Sequence, residues 1–193
     1  MKIQRKVKYE EELDPDFSSE IKRASGCDEI DKCIQCGTCS SSCPMSVYMD
    51  YPPRKIIAMV KSGFKDEALR SFTIWLCPSC YTCQVRCPAK IKITDVMYAL
   101  KRKAIAKKVY PSRFAIPILD REMSRLIAKY GRNSEMWLIL NLYLKSRNPL
   151  GLLKMAPLGL KLMKAGRMSL KRESIKNKKQ LKSLLSAIKE GSL

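Results

Sequence analysis

The sequence predicts an all-α fold built around two cysteine runs, followed by a C-terminal helical extension. Three observations predict it. Eight of the nine cysteines fall in two copies of one pattern, C-x2-C-x2-C-x3-C-P: Cys33, Cys36, Cys39, Cys43 with Pro44, and Cys77, Cys80, Cys83, Cys87 with Pro88. The 33 residues between Cys43 and Cys77 carry helical periodicity, and no alternating strand pattern is evident. Residues 112–193 hold no cysteine and read as amphipathic or basic helices.

The spacing of each run is that of a bacterial-type 4Fe–4S ligand run. A cubane cluster needs four thiolates at the corners of a compact tetrahedron, and three closely spaced cysteines on a tight loop wrap three irons. The fourth cysteine, displaced by three residues and followed by proline, points away from that loop and serves the neighbouring cluster in two-cluster proteins. The expected ligands are therefore Cys33, Cys36, Cys39 and Cys87 for cluster one, and Cys77, Cys80, Cys83 and Cys43 for cluster two. Structural zinc takes paired ligands separated by a longer loop, often with histidine, and this chain has no histidine. A disulfide framework needs an oxidising compartment. The first residues, Met1 to Lys8, show no apolar segment of a secretory signal, so a cytoplasmic location is expected.

In chain order, residues 1–14 are polar and read as an extended arm. Asp14-Pro15-Asp16 is a helix-start signal, and Phe17, Ile21 and Ala24 form the apolar stripe of a short helix ending near Gly26. After the first run, Tyr51-Pro52-Pro53 breaks the chain. Arg54 to Lys61 then reads as a helix with Ile56, Ile57 and Val60 on one face, ended by Gly63. Asp66 to Phe72 predicts a further helix. Beyond Pro88, Thr94 reads as an N-cap with Asp95 in the first turn of a helix that stops before Pro111. Each run thus ends in proline and leads into a helix, which predicts a pseudo-twofold pair around two clusters.

Further on, Phe114, Ile118, Leu119, Met123, Leu126 and Ile127 predict an amphipathic helix ending at Gly131. Met136 to Leu144 is the most apolar window, well short of the ~20 residues a bilayer needs. Leu150 to Met163 is interrupted by Lys154, Pro157 and Lys161. Lys176 to Lys189 reads as a basic helix with Leu181, Leu184, Leu185 and Ile188 on one side, suited to an acidic partner or a membrane surface. The expected division is 1–26, arm and short helix; 27–110, the two-cluster domain; and 111–193, a basic helical extension for docking.

Composition narrows function. Without histidine there is no Ser-His-Asp triad, Rieske centre or histidine-ligated haem. No GxSxG elbow or Walker-type glycine loop appears either. The formal net charge is +20. Two oxidised cubanes, each about −2 with its thiolates, bring the holoprotein near +16. Such a balance calls for an acidic partner. From Lys145 onward there are 13 basic and 2 acidic residues. Aromatic residues are not interleaved with these basic ones, which speaks against nucleic-acid binding.

Cys33-Ile34-Gln35-Cys36-Gly37-Thr38-Cys39, Tyr51-Pro52-Pro53-Arg54-Lys55-Ile56, Trp75-Leu76-Cys77-Pro78-Ser79-Cys80-Tyr81-Thr82-Cys83, Cys87-Pro88 and Ile93-Thr94-Asp95-Val96 resemble the C subunit of heterodisulfide reductase. The resemblance covers roughly residues 27–105 and extends more loosely over 112–175, from Asn148-Pro149-Leu150 towards Lys176-Asn177. It implies an α-helical ferredoxin fold with two 4Fe–4S clusters. It also implies a soluble complex in which a flavin subunit exchanges electrons with the clusters. A catalytic partner there carries the thiol–disulfide site in cysteine-rich CCG domains. This chain has no CCG pattern, so it is expected to be a non-catalytic relay. Similar subunits occur in sulfate reducers and sulfur oxidisers. The same module ends the iron–sulfur subunits of succinate dehydrogenases, which also carry an N-terminal 2Fe–2S domain; here only Cys27 precedes the first run. An iron–sulfur subunit of a quinone-linked membrane dehydrogenase, with peripheral membrane contact, is the alternative.

Near the clusters, Gly37 is expected to let the backbone approach and donate N–H groups. Thr38, Ser40, Ser79 and Thr82 offer hydroxyl donors, and Arg86 and Lys90 are expected to place positive charge between the clusters. Cys27 is expected to be a buried free thiol.

Overall fold

The computed structural model describes residues 8–110, 114–146, 149–167 and 173–190, and every element among them is helical. The first part of the expected arm (1–7), the break at Pro111, Asn148 and the basic residues Arg147, Lys171 and Arg172 lie outside the described residues. The chain divides into two compact units, Met1–Tyr110 and Pro111–Leu193.

The first unit contains α1 (Phe17–Ser25), α2 (Thr38–Ser41), α3 (Pro53–Lys61), α4 (Lys65–Arg70), α5 (Thr73–Leu76), α6 (Thr82–Val85) and α7 (Ile93–Ala106), with 3-10 turns at Glu10–Glu12, Asp28–Lys32 and Ser46–Tyr48. Its core explains the periodicity. Helix α3 buries Pro53, Ile56, Ile57 and Val60, and α7 buries Ile93, Val96, Met97 and Leu100. This is the same i, i+3, i+4, i+7 stripe, forty positions later. The cysteine runs are related by 44 positions instead. The first half places the extra residues, including the turn Ser46–Tyr48, between its run and its helix. Phe17 and Ile21 of α1 are fully buried, and α1 packs on both α3 and α7. The short helix assigned to the arm therefore shares the core of the cysteine-bearing unit. At Gly63, whose φ is +76°, an added Cβ would lie 2.6 Å from the carbonyl oxygen of Asp14, so this glycine both ends α3 and admits the incoming chain.

Two elements differ from expectation. The helix expected over 66–72 is split: α4 ends at Arg70, and Ser71 turns the chain with ψ 135° into α5. The cause is a distant carboxylate. Asp50 accepts hydrogen bonds from Ser71 Oγ (2.9 Å), Phe72 N (2.7 Å), Thr73 N (2.8 Å) and Thr73 Oγ1 (2.6 Å), capping α5 from another part of the chain. Thr94 is not an N-cap. Lys92 takes that position, and Thr94 sits inside the first turn of α7, buried. The local cap signal lost to the apolar register, which draws Ile93 into the helix.

The second unit contains α8 (Ala115–Tyr130), α9 (Glu135–Lys145), α10 (Pro149–Lys164) and α11 (Lys178–Glu190). Gly131 closes α8 with φ +74°, as its position suggests. Only part of the α8 stripe is covered: Leu126 is buried, whereas Leu119, Met123 and Ile127 are exposed. Helix α10 runs through Pro157, with Lys154 and Lys161 interrupting its apolar run. No helix among the described residues is long and apolar enough to cross a membrane.

Glu122 of α8 is 1% exposed and pairs with Lys145 of α9. Its second carboxylate oxygen, 3.9 Å from Arg125, has no hydrogen-bond partner. Lys145→Met should thus destabilise this unit by about 2–3 kcal/mol, somewhat less than breaking a fully buried pair because the lysine is partly solvated. Adding Glu122→Leu should recover most of the loss in a denaturant titration.

Candidate metal centres

Two cavities of nearly equal volume, about 360 and 340 Å³ including their open mouths, lie in the first unit. The first is lined by Cys33, Cys36, Cys39 and Cys87. The second is lined by Cys77, Cys80, Cys83 and Cys43. Each therefore receives three cysteines from one run and the last cysteine of the other. Ile93 lines both and so stands between them.

The two loops repeat each other residue by residue. Gln35 and Ser79 both have φ 58°; Gly37 and Tyr81 follow with φ 85° and 61°. Ser40 N donates to Gly37 O and Gln84 N to Tyr81 O, each at 2.9 Å, opening the matching short helices α2 and α6. An added Cβ at Gly37 would meet only Arg54 Cδ, at 3.9 Å. Among protein atoms, then, only the left-handed backbone favours glycine here, and Tyr81 adopts that conformation at the equivalent place at some steric cost. The ninth residues of α3 and α7 complete the symmetry. Lys61 Nζ donates to Cys33 O (3.3 Å) and Lys101 Nζ to Cys77 O (3.1 Å), tethering the first cysteine of each run.

All nine cysteines are free thiols. Burial pushes Cys39 and Cys43 upward and Cys83 up to about 11. The better solvated Cys36 and Cys80 are held low by hydrogen bonds from Thr38 and Thr82. Buried thiols crowded around an apolar cavity become thiolates only when a cationic centre compensates them. No group of three or more His, Cys, Asp or Glu among the described residues is spaced to hold a single metal ion. An all-sulfur donor set around a space wider than one ion's shell fits a polynuclear cluster.

Gly37 and Thr38 line the first cavity, and Thr38 Oγ1 lies 3.4 Å from Cys36 Sγ. Thr82 acts through Cys80 without lining the second cavity. Ser40 Oγ accepts from Arg54 N at 3.0 Å. Ser79, Arg86 and Lys90 line neither cavity, and the latter two are exposed. The cations at the loops are instead Arg54, on the first cavity wall, with Lys61 and Lys101. Sequence reasoning missed these because their reach depends on helix register. It also missed Gln35, whose Nε2 donates to Cys33 Sγ at 3.3 Å.

Cys27 is fully buried and lines neither cavity; its Sγ accepts the amide of Lys92 at 3.3 Å. Cys27→Ser retains an acceptor for that amide, so iron and sulfide content should be unchanged on elemental analysis, with a stability cost of about 1–2 kcal/mol.

Residues 29–91 match the family model of a 4Fe-4S dicluster domain. The chain is 39% identical over 123 residues to the C subunit of the H(2):CoB-CoM heterodisulfide,ferredoxin reductase of Methanothermobacter marburgensis, covering 58% of this chain and 66% of that one. It is 37% identical over 111 residues to the iron-sulfur C subunit of the CoB--CoM heterodisulfide reductase of Methanopyrus kandleri, covering 54% and 57%. With the second C-type iron-sulfur subunit of the same reductase from Methanocaldococcus jannaschii the identity is 44% over 78 residues, covering 40% and 41%. The chain thus spans just under two thirds of the length of the Methanothermobacter relatives.

Proposed function

From a chain homologous, across its cysteine runs, to the iron–sulfur C subunits of heterodisulfide reductases, we propose that it is the electron-relay subunit of a heterodisulfide-reductase-like complex. Cys33, Cys36, Cys39 and Cys87 hold one 4Fe–4S cluster; Cys77, Cys80, Cys83 and Cys43 hold the other. The observation that carries this reading is the crosswise lining of the two cavities by these thiols. When bound, each cluster supplies a reversible one-electron step. The chain's residues do the rest. The left-handed loops aim the thiols, Thr38 and Thr82 hydrogen-bond to Cys36 and Cys80, and Gly37 shapes the first cavity wall. The buried stripes of α3 and α7 exclude water from the inner side of both sites.

Its role is transfer without substrate chemistry. It relays electrons between a flavin subunit and the catalytic, CCG-domain subunit, in the cytoplasm, where thiols stay reduced. The formal charge of +20 suits acidic partner faces and speeds their encounter. The test is anaerobic purification with iron, sulfide and EPR analysis of the dithionite-reduced protein. About eight irons and eight sulfides with a magnetically coupled pair of centres support the relay. Zinc, or one isolated cluster, overturns it. A second reading, as part of a quinone-linked membrane dehydrogenase, draws on the exposed Leu150, Leu153 and Leu160 of α10 and on the basic terminal helix. Membrane retention after a high-salt wash would favour it.

A further inference from the structure

We propose that Thr94 donates a hydrogen bond to a sulfur of the second cluster site and thereby sets that centre's potential apart from the first. The inference rests on the two-cluster reading above and concerns only the residue that tunes one of the centres.

Thr94 is 1% exposed, and its hydroxyl oxygen is buried without a hydrogen-bond partner in the protein. Leaving a buried hydroxyl unpaired costs free energy that a fold retains only where something else answers the donor. The residue lines the second cavity together with Cys43, Cys77, Cys80 and Cys83. The hydroxyl is thus held against the sulfur-lined space, with no competing carbonyl or carboxylate.

The other half of the pseudo-twofold shows that this register position addresses the cavity. Forty residues earlier the equivalent position is Arg54, which lines the first cavity. There the chemistry differs. Arg54 is exposed and its amide is bonded to Ser40 Oγ. The first centre therefore sees a cation screened by water, while the second sees a neutral donor in a dry wall. A hydrogen bond to sulfur draws negative charge off the centre and favours the reduced form, which carries one more electron. Burial preserves this effect at all ionic strengths, whereas salt weakens the influence of an exposed guanidinium.

The test is an EPR-monitored redox titration of the reconstituted full chain, with iron counted in every sample. Thr94→Val removes the donor and keeps the shape. It should lower one midpoint only, and Thr94→Ser should restore it. In a Cys43→Ser background, where the second centre is absent, Thr94→Val should leave the remaining midpoint in place. Should the valine variant lose iron, Thr94→Ala takes its place with the same expectation. Unmoved midpoints at full iron content, equal shifts of both, or a shift that persists in the Cys43→Ser background overturn the role of Thr94 and leave the two-cluster reading standing. Wild-type protein that binds no iron removes that underlying reading instead.

Discussion

Cys43→Ser should empty the cluster site built on the second cysteine run and leave the first one loaded. Iron should fall from about eight to about four atoms per chain, and the reduced EPR spectrum should change from a coupled pair to one isolated centre. Cys87→Ser should do the converse. An unswapped arrangement predicts the opposite pairing, with Cys43 lost together with Cys33, Cys36 and Cys39, so the two designs give opposite answers. The basis is spatial. Cys43 lines the cavity of Cys77, Cys80 and Cys83, and Cys87 that of Cys33, Cys36 and Cys39. Combining Cys43→Ser with Cys33→Ser, which touches both sites, should remove nearly all iron, whereas combining it with Cys77→Ser, which touches only one, should retain about four atoms. Because metal binding is folding free energy, each single ligand loss should also unlink one run from the other and lower the thermal midpoint.

The fold was legible where chemistry and periodicity coincide. Helices α1, α3, α7 and α8 follow from apolar stripes, three of them ended by Gly26, Gly63 or Gly131, and these signals are local. The crosswise grouping of eight cysteines around two cavities was legible because they recur at one fixed spacing. Other features depend on contacts distant in sequence. The break between α4 and α5 depends on Asp50, more than twenty residues away, and no local signal at Ser71 announces it. Thr94 looked like a cap because its neighbours suit one, yet the buried register of Ile93, Val96, Met97 and Leu100 places it inside the helix. Arg86 and Lys90 sit near a cysteine in sequence but outside both cavity walls. Arg54, Lys61 and Lys101 are remote in sequence, and α3 and α7 carry them to the loops. Proximity along the chain proved a poor guide to charge near the thiols, and the forty-residue helix repeat a better one.

Asp50→Ala should be among the most damaging substitutions outside the cysteines. It removes the acceptor of five hydrogen bonds, from Tyr51, Ser71, Phe72 and twice from Thr73, and leaves the amide of Phe72 uncapped and that of Thr73 with only Ser71 Oγ; Thr73 is fully buried. Thr73 also holds the turn at Tyr51: its hydroxyl oxygen accepts from Tyr51 N, and its one proton is shared between Asp50 Oδ1 and Tyr51 O. The expected loss is roughly 2–3 kcal/mol, a fall of about 10–20 °C in the midpoint of a domain this size. Because α5 leads directly into Cys77, cluster loading in the second site should fall as well, and the first site should be spared. The effect carries a pH signature. Burial alone would raise the Asp50 carboxyl, but hydrogen bonds from Thr73, Phe72 and Ser71 outweigh it and hold the group below its ordinary value. A lowered folded pKa gives stability that is complete above the unfolded value of about 3.9 and is lost as pH falls through the folded one. The gap in stability between wild type and Asp50→Asn should therefore be constant from neutral pH down to about 5 and close below about 4. A gap that persists undiminished at the acid end would mean that Asp50 acts by shape and not by charge, and that the break before α5 has another cause.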